Sequence, residues 1–163
     1  MNPFHDKEYK IAYLKARAYD SRTEVRLQVA KNKLTPPEFL TFLAGDQDGY
    51  VRMEVARNPN APAEALMILI FSKNSMGSIY WRVAKHPNAT PQILSILSDY
   101  DGPVVHGVVA SNPNTPAEVL MKLAGNRVSL VRTHVINNTN ATEEIIMTAK
   151  GTSFIIKNGL YNS

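Results

Sequence analysis

The sequence predicts an all-α fold, an α-solenoid of about five 26-residue, two-helix repeats with short terminal caps. Three observations carry this. The pair Val29-Ala30 recurs as Val55-Ala56, Val83-Ala84, Val109-Ala110 and, degenerately, Val135-Ile136, at spacings of 26, 28, 26 and 26 residues. The text after each anchor rhymes: AKNKLTPPEFLTFLAG, ARNPNAPAEALMILIF, AKHPNATPQILSILSD, ASNPNTPAEVLMKLAG and INNTNATEEIIMTAKG. Each copy carries apolar residues at helical spacing on both sides of a turn signal. Helices of about ten residues are marginal alone, whereas stacked pairs share one core. Strand content is expected to be essentially nil.

The elements follow in chain order. Residues 1–22 hold KEYKIAYLKARAYD, with Ile11, Leu14 and Ala18 on one side and Lys10 and Arg17 elsewhere. This reads as an N-terminal capping helix or half-repeat. Residues 23–151 hold the five repeats. The first helix of each (helix A) is typified by GYVRMEVARN, where Val51 and Val55 share one face with Ala56 alongside. The following NPN breaks it, because the residue before a proline is pushed out of the helical region. The second helix (helix B) opens on Thr35-Pro36-Pro37-Glu38 or Thr115-Pro116-Ala117-Glu118. Those segments predict a hydroxyl N-cap, proline in the first turn and glutamate at the third position. Helix B then buries Leu40/Leu43, Leu66/Leu69, Leu94/Leu97 and Leu120/Leu123, with Gly45, Gly125 and Gly151 as C-caps. The two extra residues of the 28-residue spacing fall in KNSMGS, a loop. In residues 152–163, SFIIKNGLYNS either closes the end of the stack or forms a strand-like tail that docks on a second subunit.

Composition narrows the function. The chain has 163 residues, 44% of them apolar, with 18 Lys+Arg against 14 Asp+Glu and a net charge of +4. This mild basicity disfavours an acidic DNA mimic and permits nucleic acid without requiring it. There is no cysteine, which excludes disulfides, thiolate metal sites and a Cys nucleophile. No apolar run approaches the ~20 residues that span a bilayer, and the N-terminus lacks a signal-peptide core. A cytoplasmic protein is expected.

VRMEVARNPNAPAEALMIL and VVASNPNTPAEVLMKLAG, copies of the pattern VRxxVAxNPxTPxExLxxLA, resemble the leucine-rich repeat variant motif, a relative in shape of HEAT-type helical repeats. The match covers about four-fifths of the chain. The resemblance implies a right-handed superhelix of paired short helices, in some members an α-helix paired with a 3₁₀ helix, and binding as the general function. One member's iron–sulfur cluster sits on a Cys-rich segment that this chain lacks, so that role does not transfer.

Equivalent positions of a solenoid stack into columns. Asn32, Asn58, His86, Asn112 and Asn138 end helix A, where asparagine tolerates the left-handed conformation and caps the turn. Arg26, Arg52, Tyr80, His106 and Arg132 lie near the buried side. The resemblance implies an inter-repeat arginine ladder there, with Asp46, Asp48 and Asp101 nearby. A helical wheel exposes Leu27, Gln28 and Lys31; Met53, Glu54 and Arg57; and Trp81, Arg82 and Lys85. In the last two copies these become Gly107, Val108 and Ser111, then Thr133, His134 and Asn137. The first three repeats thus carry a basic stripe with interleaved apolar residues, suited to an acidic-hydrophobic protein segment or to phosphates. A merely solvated face, or Trp81 folding into the KNSMGS loop, is the plainer alternative. Glu38, Glu64, Gln92, Glu118 and Glu144 suit the helix dipole. Thr41, Met67, Ser95, Met121 and Met147 fill gaps between helices or line an apolar groove.

No Gly-rich phosphate loop, HExxH, GxSxG or CxxC occurs, and the four histidines are scattered. The expectation is a non-catalytic binding module with no cofactor and no metal. It would engage a protein partner, as adaptor or inhibitor, through Lys31, Met53, Arg57, Trp81, Arg82 and Lys85. The alternative is nucleic-acid binding through the same stripe, with Trp81 stacking on a base.

Overall fold

The computed structural model describes residues 7–72 and 77–151. Every regular element among them is an α-helix: α1 (Lys7–Ala18), α2 (Thr23–Lys31), α3 (Pro37–Ala44), α4 (Gly49–Arg57), α5 (Ala63–Phe71), α6 (Gly77–Lys85), α7 (Pro91–Leu97), α8 (Pro103–Ser111), α9 (Ala117–Ala124), α10 (Ser129–Ile136) and α11 (Glu143–Ala149). Residues 73–76 of KNSMGS and the 152–163 tail lie outside the described residues.

The chain forms two compact units, Met1–Ala89 and Thr90–Ser163. In the first, α2 packs on α4 and α4 on α6, while α3 packs on α5, and α1 closes against α2 and α3. The second repeats the scheme: α8 packs on α10 and α9 on α11. Within each unit, helix A therefore meets helix A and helix B meets helix B. The small Val-Ala anchors let the helices approach closely. Val29, Ala30, Val55, Ala56, Val83 and Ala84 are buried in the first unit, Val109, Ala110 and Val135 in the second. The leucine pairs of α3, α5, α7 and α9 are buried as well. Each fully buried leucine contributes roughly 1.5–3 kcal/mol relative to exposure.

Two local expectations are corrected. Thr35 and Thr115 do not cap helix B. Both are buried, and each hydroxyl donates back to a helix A carbonyl, Val29 O and Val109 O respectively. The N-cap is the next residue, Pro36 or Pro116. At the position equivalent to those prolines, Thr90 and Thr142 do cap, accepting from Ile93 N–H and Ile145 N–H. The column that holds Thr35 and Thr115 holds Ala61 and Ala89 elsewhere, both buried. A small residue is required there, and a hydroxyl fits only by bonding inward.

The second correction concerns the residue after helix A. Asn32, Asn58 and Asn112 have φ near −73° with ψ of 118°, 118° and 128°. That is extended backbone, not the left-handed region. Asparagine is used there for its amide. Asn58 Oδ1 accepts from Asn60 N–H, and its Nδ2 donates to Ala30 O at 2.7 Å and Asn32 O at 2.9 Å, one repeat earlier. Asn138 does the same with Asn140 N–H, Ala110 O and Asn112 O. The second asparagine of the turn adds a parallel rung: Asn88 Nδ2 donates to Ala61 O, and Asn140 Nδ2 to Thr115 O. These amides reach the helix-end carbonyls of Ala30 and Ala110 and the turn carbonyls just beyond them. Among the glycines, Gly45 and Gly125 cap α3 and α9 at negative φ, and Gly151 takes φ +73°.

Candidate functional site

The arginine column comes first, because it separates structural cations from free ones. Arg26, Arg52 and Arg132 each bend back over the loop that precedes their helix. Nη1 donates to the carbonyls six and five residues upstream: Asp20 and Ser21, Asp46 and Gln47, Asn126 and Arg127. Arg26 also holds the Asp46 carboxylate with Nε at 2.6 Å and Nη2 at 3.0 Å. Both side chains are nearly sealed from solvent, at 8% and 4% exposure. The hydrogen bond to Asp46 raises the Arg26 pKa further above the usual range. Arg132 Nε reaches Ala149 O at 3.2 Å. Arg52 has Ser72 at the position equivalent to Asp46, and its buried Nε has no hydrogen-bond partner. Asp48 instead caps α4 through Tyr50 N–H and Val51 N–H, and Asp101 is exposed. At the fourth copy of the column, Asn126 Nδ2 donates to His106 Nδ1 at 3.0 Å.

The basic stripe is less exposed than the wheel expects. Lys31, Arg57 and Lys85 are exposed, but Leu27, Met53, Trp81 and Arg82 are half-buried. A wheel treats helix A as having one covered face. Here α4 lies between α2 and α6, so its flanks are covered too. Lys31 and Met53 stand apart from the cleft that the other four residues share. Arg57, Trp81, Arg82 and Lys85 line one depression of about 270 Å³ in the first unit, with Ala56, His86 and Pro87.

Its electrostatics are uneven. Arg57 is ion-paired with Glu54 one turn earlier on α4. The Arg82 guanidinium lies over the Trp81 ring, 4.4 Å from the centroid, the arrangement of a cation–π contact. Arg82 Nε is buried with no hydrogen-bond partner. Burial first, and then the neighbouring Arg57, hold the Arg82 pKa below the usual arginine range, with Glu54 opposing. At the wall, His86 is buried. Nε2–H donates to Asn58 O at 2.9 Å and Nδ1 accepts from Asn88 N–H at 3.1 Å. The neutral ring thus uses both nitrogens, standing in for the column's asparagine, and burial lowers its pKa.

No family model, curated protein sequence or solved structure matches this chain.

Two features escaped the sequence reading. The orphaned Nε of Arg82 has no signature in the sequence. The other is a second column, on the first turn of helix A: Tyr50, Val104 and Leu130 are 72%, 68% and 61% exposed. Its signal was available as the position before each Val51-type residue. Among the described residues no group of three His, Asp or Glu is placed to hold a metal, and no helix is long and apolar enough to cross a membrane.

Proposed function

We propose that the chain is a five-repeat α-solenoid of the leucine-rich repeat variant kind that works as a non-catalytic, cytoplasmic binding module. Its partner is a protein, which it engages as adaptor or inhibitor through the helix A face of α4 and α6. The observation that carries this reading is the convergence of Arg57, Trp81, Arg82 and Lys85 on one depression. Aromatic and arginine side chains in a partly desolvated recess are the usual anchors of protein interfaces. The solenoid reading is supported by the like-with-like helix packing inside each unit and by amide rungs that each reach back 26 or 28 residues along the chain.

Nucleic acid is the competing occupant. Two features count against it. Arg57 is tied to Glu54, which interrupts the stripe of free cations. One face of Trp81 carries Arg82, so a base could stack on that face only by displacing the guanidinium. The test is affinity capture from native lysate beside binding to a mixed pool of short DNA and RNA at two salt concentrations. Wild type is compared with Trp81→Ala and with Lys31→Glu/Arg57→Glu/Lys85→Glu. The proposal expects a captured protein that Trp81→Ala loses. Nucleic-acid binding that falls steeply with salt and disappears in the triple variant would overturn it.

A further inference from the structure

Among the exposed and recessed features of the molecule, the Tyr19–Phe42 ring pair borders a second depression that contains Arg26 and Asp46. Those charges already satisfy each other, so that recess asks for nothing. The exposed Tyr50, Val104 and Leu130 have no neighbour that says what would cover them. Arg52 Nε is unanswered too, but Arg52 Nη1 is held by two loop carbonyls. The cleft at Trp81 differs, because it joins an unanswered guanidinium donor to two further cations and an aromatic ring.

Resting on the reading of this face as a protein-docking surface, we propose that the cleft recognises a carboxylate: an Asp or Glu side chain flanked by an apolar residue on an extended partner segment, received by the Arg82 guanidinium over Trp81. Arg26 shows one way this protein completes a guanidinium, with a carboxylate on Nε and Nη2 and carbonyls on Nη1; in Arg132 a carbonyl serves Nε instead. Arg82 lacks that carboxylate. The cleft is lined by three cationic side chains, Arg57, Arg82 and Lys85, and Glu54, the acid beside them, is engaged by Arg57. Charge complementarity therefore selects an anion. A planar fork on the guanidinium selects a carboxylate that binds through both oxygens. Turning the Arg82 fork outward restores the bond that Nε lacks at rest. The same movement uncovers a face of Trp81, where the apolar neighbour of the acid packs. Lys31 and Met53 lie outside the cleft and are not needed.

Trp81 is the single tryptophan of the chain, so its fluorescence reports this cleft alone. Three probes are titrated into the 163-residue chain: a capped twelve-residue peptide alternating Glu with Leu, the same peptide with Gln for Glu, and a twelve-nucleotide single-stranded DNA. The Glu peptide is expected to shift Trp81 emission, and the Gln peptide to bind at least tenfold more weakly. Arg82→Gln is expected to weaken the Glu peptide at least tenfold, and Arg82→Lys, which keeps charge without the fork, by an intermediate factor. Lys122→Gln in the second unit is expected to leave it unchanged. Circular dichroism confirms that each variant is folded. Equal binding of the Glu and Gln peptides, or an unchanged affinity in folded Arg82→Gln, sinks the carboxylate assignment and leaves the docking face standing. No response to either peptide also overturns the assignment, and binding of the DNA alone overturns the docking reading with it.

Discussion

The two units are written in the same repeat and finish their helix A surfaces differently. In the first unit, the positions one and two turns into helix A carry Met53 with Arg57 and Trp81 with Lys85, and the groove between α4 and α6 stays open as a cleft. In the second unit the same positions carry Gly107 with Ser111 and Thr133 with Asn137. There Gly107 is buried, and a Cβ added to it would meet His134 Nδ1 at 3.3 Å. The His134 ring thus occupies the space that a side chain at position 107 would need. One scaffold yields an open charged recess in one unit and a self-filled surface in the other. The asparagine amide rungs are shared by the two units, so the difference lies in other side chains on the helix A surface.

The strongest way to break the comparison is to make Arg26 resemble Arg82. Asp46→Ala leaves a buried guanidinium without its carboxylate, and removing one partner of a buried pair costs about 3–5 kcal/mol. Asp46 Oδ1 also accepts from Asp48 N–H at 2.8 Å, so the loop before α4 loosens as well. Chemical denaturation should show that loss, with amide exchange accelerated first in α2 and α4. The double variant Arg26→Met/Asp46→Leu should recover much of it. A double variant no better than Asp46→Ala would mean that the carbonyl bonds of Arg26, not its charge pairing, hold the loop.

The shared rungs come next. Asn58→Ala and Asn138→Ala each remove two donated bonds and one accepted bond at a buried turn. Ala30 O and Ala110 O lose their amide donor, while Asn32 O and Asn112 O keep the turn N–H of Thr35 and Thr115, so each loss is expected to be about 1–3 kcal/mol. Equal losses in the two units are expected, measured by denaturation. A loss confined to one unit would mean that the rungs are not equivalent.

What the sequence disclosed and what it hid divide along physical lines. The repeat spacing, the Val-Ala anchors and the helix B leucines were legible, because burial of small and branched side chains is a local pattern that recurs. The role of Thr35 was misread, since the same hydroxyl serves an N-cap or an inward bond equally well, and only the packing of α2 decides. The half-burial of Trp81 and Arg82 was invisible for a related reason. A helical wheel knows one helix, whereas the flanks of α6 are closed by α4 and α5. Arg57, Arg82, Lys85 and Trp81 were singled out together from their column positions. The Glu54–Arg57 pair was legible as an i,i+3 spacing on one helix and was not used, whereas the unanswered Nε of Arg82 depends on a rotamer that no spacing encodes.

His86 sharpens the comparison within a single column. Where Asn58 and Asn138 carry an amide that does not titrate, His86 makes the same kind of bonds with a ring that does. Its folded pKa is lowered by burial, so the unfolded chain takes up the proton first as pH falls. The stabilisation is present in full above the ordinary histidine pKa near 6.5 and is lost progressively below it. Protonation would also set Nδ1–H against Asn88 N–H, and Arg57, Arg82 and Lys85 line the same cleft. His86→Asn should flatten the decline in first-unit stability between pH 7 and pH 5. The check is amide exchange of α4 and α6 at the two pH values, and an unchanged slope would assign the acid sensitivity elsewhere.

The smallest effect is expected at the second unit's surface pair. Lys122 and Asp99 form an ion pair with 48% and 77% of their side chains exposed, and pairs of that kind contribute about 0–1 kcal/mol. Lys122→Ala should change stability by no more than ~0.5 kcal/mol, less still at high salt. Lys122 Nζ also donates to Ser98 at 3.1 Å, and Ser98 is buried. That hydroxyl keeps its own donation to Ser95 O at 2.7 Å, so loss of the lysine leaves no buried donor unanswered. This is the reverse of Arg82. Lys122 is an exposed cation with an ion-pair partner, while Arg82 is a half-buried cation whose Nε has no hydrogen-bond partner. A large destabilisation in Lys122→Ala would show that exposure is a poor guide to which charges this scaffold uses, and would weaken the same argument at Arg82.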